Sequence, residues 1–115
     1  MSGRIREIVL KEGLPTVEEA RRRLIAELEQ SRKRGDRVLK LIHGYGSSGV
    51  GGRLRDAVRS SLRRRLKEGK IRAFVAAEKR EVLDEPARVM LDECPELARD
   101  KDYHNYNEGV TFVLL

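Results

Sequence analysis

The sequence predicts a small α/β domain, a single two-layer sandwich of helices on a mixed sheet in the order βαβαββ, with an extra helix or loop inserted before the last strand. Three observations carry this. Short β-branched and aliphatic runs alternate with two longer stretches whose apolar residues recur at helical spacing. Glycine, proline and capping residues separate the two kinds of segment. Finally, 115 residues with 39% hydrophobic content suffice for one core but not for two nucleotide-binding halves or a barrel. With two Phe, three Tyr and no Trp, that core is expected to be aliphatic.

Ile5, Ile8, Val9 and Leu10 read as a first strand, stopped by Gly13 and Pro15. Thr16-Val-Glu-Glu is a capping box, in which Thr16 covers the Glu19 amide and Glu19 reaches back. The helix it opens runs to about Arg34, with Val17, Ala20, Leu24, Ile25 and Leu28 on one face, and Gly35-Asp36 ends it. Val38 to Ile42, apolar at nearly every position, reads as a strand buried on both faces. A Gly-rich stretch, 44–52, then holds five of the ten glycines. A second helix is expected over about Arg53–Glu68, with Leu54, Ala57, Val58, Leu62 and Leu66 buried. Strands are expected over Ile71–Ala77 and Val110–Leu115. Between them, Glu85–Cys94 reads as a short acidic helix, because Pro86 suits a first turn, and Asp100–Glu108 reads as loop.

The formal net charge is +6, but it averages two different halves. Residues 1–72 hold 20 Lys+Arg against 9 Asp+Glu, net +11, and residues 73–115 hold 5 against 10, net −5. A basic region of this size points to a polyanionic partner, nucleic acid first. Arg55, Arg59 and Arg63 at four-residue spacing form a ridge on the second helix, extended by Arg64, Arg65 and Lys67, with few acids nearby. The ridge is read as a contact for a nucleic-acid backbone, against a solvated face or a dock for the acidic segment 78–102. In the first helix, Glu18–Arg22, Glu19–Arg23 and Arg23–Glu27 stand at pairing distances, so its Arg21-Arg22-Arg23 run is expected to be salt-bridged internally.

The passage Leu41-Ile-His-Gly-Tyr-Gly-Ser-Ser-Gly, from strand to helix, carries the strongest chemical signal. Glycines let backbone amides turn inward as an anion nest, and the next helix offers unpaired N–H donors. Arg53 and Arg55, read as first-turn cations, oppose the helix dipole unless an anion sits nearby. Gly44, Tyr45, Gly46, Ser47 and Ser48 are therefore candidate phosphate contacts, together with Arg53, Arg55, Arg59 and Arg63. Gly44-Tyr-Gly-Ser-Ser-Gly49 fits a dinucleotide fingerprint, but the first strand-end acid is Glu78 and extra glycines delay the helix. Gly46–Gly51 has Walker-type glycine spacing, yet Gly52-Arg53 stands where Lys-Ser/Thr is needed. His43, before the loop, binds phosphate, shuttles a proton or hydrogen-bonds a loop carbonyl.

Other classes drop out. The single Cys94 excludes an internal disulfide, which fits a cytoplasmic protein. No apolar run approaches a membrane span, the start lacks a signal-peptide core, and no Cys/His pair has zinc spacing.

Together these residues resemble the Smr (small MutS-related) domain family. Thr16-Val-Glu-Glu-Ala20 is similar to that family's first-helix start, Val38–Gly46 to its strand with the HGxG motif, Gly52–Val58 to the following helix, and Glu108–Leu114 to its closing strand. The resemblance covers nearly the whole chain apart from an enlarged acidic segment at 78–107. It implies a fold like the C-terminal domain of a bacterial translation initiation factor, and a role in nucleic-acid binding, with DNA nicking or RNA cleavage in some members. His43, Gly44 and Gly46 map to HGxG. The family's LDLHG signature is degenerate: Ile8-Val-Leu-Lys-Glu-Gly13 supplies neither the Asp nor the His, and Glu12 or Glu7, neither of which matches the pattern, is the carboxylate that stands in. The expectation is thus a DNA- or RNA-binding domain, either a weakened or altered endonuclease assisted by Mg²⁺ or Mn²⁺ or a non-catalytic module that binds RNA, the ribosome or a protein partner. A small nucleotide binder rests on the loop alone.

Overall fold

The structure is a computed structural model and describes residues 5–13, 15–44, 50–77, 85–105 and 107–115. Four strands, β1 (Ile5–Val9), β2 (Val38–Ile42), β3 (Ala73–Ala76) and β4 (Val110–Leu114), form one sheet in the order β1-β2-β4-β3. β1 and β2 are parallel, whereas β4 runs antiparallel to both its neighbours. The central strands β2 and β4 are buried along nearly their whole length, as their apolar runs, interrupted only by Lys40 and Thr111, require. This is the mixed α/β sheet the sequence predicts.

α1 (Val17–Arg34) begins with the expected capping box: Thr16 Oγ1 accepts from the Glu19 amide at 3.1 Å, and Glu19 Oε1 accepts from the Thr16 amide at 2.8 Å. It stops at Gly35, whose φ of 82° is left-handed and so suits glycine. α2 spans Val50–Lys67, starting three residues before the expected Arg53. Gly51 and Gly52 thus belong to its first turn, where the amides lack intrahelical partners. The proposed delay of the helix behind the glycine fingerprint therefore disappears, while the distance to Glu78 still argues against a dinucleotide site.

Side chains alternate across the sheet into two cores. On one face Ile8, Leu39, Leu41 and Val113 pack against Leu24 and Leu28 of α1 and Val58 and Leu62 of α2. On the other, Val38, Val75, Phe112 and Leu114 meet Ala87, Met90, Cys94, Leu97 and Tyr103. Ala87 and Met90 belong to α3 (Glu85–Glu93), Leu97 to a 3₁₀ helix (Pro95–Arg99) that Cys94 precedes, and Tyr103 to α4 (Lys101–His104). The acidic segment expected before the last strand thus covers the second face of the sheet, and part of the expected 100–108 loop is helical. Asp100 caps α4 by accepting from the Asp102 and Tyr103 amides, and the Tyr103 ring meets Phe112 edge-on with centroids 5.1 Å apart. The Tyr103 hydroxyl donates to the Ala87 carbonyl.

Candidate nucleic-acid interface

Because β1 and β2 are parallel and β4 returns between β2 and β3, the turn after β1, the turn after β2 and the start of β4 share one end of the sheet. In open α/β sheets this carboxyl end is where ligands usually bind. The backbone there is stitched together. The His43 and Gly44 amides both donate to the Gly109 carbonyl, at 3.0 and 3.1 Å, and Gly44 takes a left-handed φ of 78°. These first two amides of the expected nest are thus engaged by the turn into β4. Tyr45, Gly46, Ser47 and Ser48 lie outside the described residues. Arg53 and Arg55 are the fourth and sixth residues of α2, so the dipole conflict expected of first-turn cations is reduced.

His43 is fully buried, with 0% of its surface exposed. Its Nδ1 lies 2.8 Å from the Gly44 carbonyl oxygen, which can only accept, so Nδ1 carries a proton. Its Nε2 lies 2.8 Å from Thr111 Oγ1, and that same oxygen accepts from Arg59 Nε at 3.0 Å. The Thr111 proton is then directed to His43 Nε2. A chain Arg59–Thr111–His43–Gly44 therefore runs from α2 through β4 to the start of the Gly-rich stretch. The ring makes the hydrogen bond to a loop carbonyl that was one of the readings open for His43, and it braces the turn from inside.

Arg59 is only 9% exposed and also donates to the Val110 carbonyl at 3.5 Å. The expected ridge therefore divides: Arg59 turns inward, Arg55 reaches Glu108 at 3.1 Å, and Arg53 and Arg63 are exposed. Thr111 was missed by sequence reasoning, although a hydroxyl in the apolar run Val110–Leu115 was a signal. Arg59 gave one too, since it follows Val58 and stands one turn before Leu62, both in the buried stripe.

The pairing expected within α1 is also revised. Glu19 serves the cap, Glu27 accepts from Arg6 at 2.9 Å, and Arg23 donates to the Leu10 and Glu12 carbonyls at 3.3 Å. Partly buried strand and cap partners outcompete exposed pairs one turn apart, which are weak. Arg21 and Arg22 are left exposed, and Arg21 shares a cleft with Arg64 and Arg65 of α2. α2 itself carries seven Arg or Lys and one acid, Asp56. Glu12 is exposed on the turn after β1, next to the Lys11 amide that donates to the Ile42 carbonyl at 3.4 Å. Among the described residues no group of three or more His, Cys, Asp or Glu is placed to hold a metal ion.

The acidic cover spends its charge on the opposite face. Lys40 of β2, only 5% exposed, places Nζ 2.7 Å from Asp102 and 3.0 Å from Asp100. Burial by itself lowers the Lys40 pKa, but the hydrogen bonds to Asp102 and Asp100 outweigh it and leave it above its ordinary value. Burial likewise raises Asp102, yet hydrogen bonds from Lys40 and Asn107 hold its carboxyl below the usual range. Glu93 pairs with Arg72 and Arg37. Cys94 is buried, and desolvation followed by contact with Glu96 pushes its thiol up to about 11.

A small mixed sheet with two helices on one face, a histidine-glycine turn after the second strand and a basic second helix defines a compact α/β domain of the MutS-related kind. The Smr domain family model matches residues 12–84, and the chain belongs to that family, which is linked to nucleic-acid binding and nuclease activity. Its structure is similar to the crystal structure of the Smr domain of Thermus thermophilus MutS2, with a TM-score of 0.58 and 28% identity over 96% of both chains. No curated protein matches the sequence. No described helix is long and apolar enough to cross a membrane.

Proposed function

We propose that this Smr domain binds nucleic acid through the α1–α2 side of its sheet. The observation that carries the reading is the separation of charge across the sheet. Exposed arginines accumulate on α1 and α2, while Asp100, Asp102 and Glu93 of the cover are paired with Lys40, Arg72 and Arg37. The described part of the acidic segment therefore neither masks the basic helices nor docks on them. Phosphate contacts by exposed Arg supply sequence-independent affinity, and each released counterion makes binding salt-dependent. Arg53 and Arg63 are exposed candidates for such contacts. Arg55 is shared with Glu108, and Arg59 and His43 hold the loop that adjoins the face.

In this reading the domain is first a binding module, with cleavage a separate question for the carboxyl end of the sheet, where Glu12 and Glu108 are the described carboxylates. The test is a titration of labelled duplex DNA, branched DNA and structured RNA at two salt concentrations, each repeated with Mg²⁺, Mn²⁺ or chelator. Binding that weakens steeply with salt is expected. Absence of binding to all three at low salt would refute the proposal. Cutting that requires metal and disappears in Glu12→Gln would add hydrolysis to binding.

A further inference from the structure

Two clefts adjoin on the outer side of the helical layer. One, of about 200 Å³, is lined by Ile25, Leu28, Glu29, Arg32, Arg65, Lys70 and Ile71. The other, of about 160 Å³, is lined by Arg21, Ile25, Ser60, Ser61, Arg64 and Arg65. They meet at Ile25 and Arg65, making one groove between α1 and α2 that runs toward the turn after α2. Five cations face it against one acid, Glu29. Lys70 also lies 3.4 Å from Glu68, an exposed pair of little strength. Among the described residues, Arg21, Arg32, Arg64 and Arg65 have no ion-pair partner.

Helix dipoles explain part of this charge, since Arg32, Arg64 and Arg65 lie near helix C-termini, where cations are favoured. They do not explain Arg21, the fifth residue of α1, which lies beyond the reach of either helix terminus. Nor do they explain why cations of both helices converge on a cleft whose middle is an exposed isoleucine, Ile25, at 37%. Serine hydroxyls at 60 and 61 add neutral donors suited to phosphate oxygens.

We infer that the α1–α2 groove is a track for one nucleic-acid strand, whose phosphates contact Arg21, Arg64 and Arg65. The inference rests on the nucleic-acid reading above and assigns the contact to a groove distinct from the His43 end of the sheet. A flexible single strand can follow a groove between two packed helices along its length, so single-stranded oligonucleotides are the ligand tested.

The test compares a 20-nucleotide oligo-dT and an oligo-U with wild type, with Arg21→Ala/Arg64→Ala/Arg65→Ala, and with Arg88→Ala/Arg99→Ala/Lys101→Ala. The last variant removes the same charge from exposed positions on the opposite cover. The groove variant should bind on the order of tenfold more weakly at 0.1 M salt, with a salt slope lower by about two units. The cover variant should stay close to wild type. If wild type binds and both variants weaken equally, or neither does, the groove assignment fails while the broader reading survives. If wild type binds duplex DNA, branched DNA or structured RNA but neither single strand, the groove assignment alone fails; if it binds none of them, the broader reading fails and this one with it. If poly-glutamate of equal length displaces the oligonucleotides as well as unlabelled oligo-dT does, the groove belongs to acidic polypeptides instead.

Discussion

Thr111 offers the sharpest mutational test of the buried network. Thr111→Val keeps the shape and removes the hydroxyl that accepts from Arg59 Nε and donates to His43 Nε2. Both partners lie in a region closed to solvent, so neither recovers a water molecule readily. A stranded neutral acceptor costs about 1–3 kcal/mol and a stranded charged donor somewhat more. Arg59 retains the Val110 carbonyl, which places the sum at the lower end, roughly 2–4 kcal/mol. For a domain of this length that corresponds to a fall in Tm of roughly 6–20 °C. Urea unfolding and calorimetry measure it directly. Thr111→Ser restores the hydroxyl and should recover all but the loss of one methyl group, ~1 kcal/mol. The network argument is refuted if Thr111→Val unfolds within 0.5 kcal/mol of wild type, or if the serine variant is as unstable as the valine.

The remaining predictions concern the acidic cover and the helix ends. Lys40→Met strands two largely buried carboxylates and should cost about 3 kcal/mol near neutral pH. Because the Asp102 pKa is depressed in the fold, its contribution is present above the ordinary value of about 3.9 and lost as pH falls through the lower folded value. Wild type and Lys40→Met should therefore converge in urea midpoint between pH 5 and pH 2.5, and a gap that stays constant would contradict the pairing. With its pKa at about 11, Cys94 should be alkylated by iodoacetamide at pH 8 only after denaturation, and rapid native labelling followed by mass spectrometry would argue against its burial. Thr16→Ala should lower stability by about 1 kcal/mol through loss of the α1 cap, measured by thermal melting.

Local signals made most of the architecture legible. Helical periodicity, the Thr16–Glu19 box and Gly35 located α1 within a residue, and the nearly continuous apolar runs located the two central strands. The segment 95–104 was not legible. Its helical pieces are too short to have periodicity, and long-range contacts such as Leu97 in the core and Tyr103 against Phe112 hold them. The Lys40 pairs join residues at least 60 positions apart in sequence, a separation no local rule spans. The candidate site was half legible. The Gly44 turn and His43 were found by their place after a buried strand, but residue type alone could not say that the imidazole faces inward. Nor could four-residue spacing show that Arg59 lies on the buried edge of α2 rather than beside Arg63.

The separation of charge across the sheet is tested most directly by mapping backbone amide shifts in an NMR titration with an RNA hairpin and a DNA oligonucleotide. The account predicts perturbations that fall on α1 and α2, centred on Arg21, Arg53, Arg63, Arg64 and Arg65, with α3 and Lys101–His104 unmoved. Perturbations confined to residues 85–104, with the two long helices silent, would contradict it.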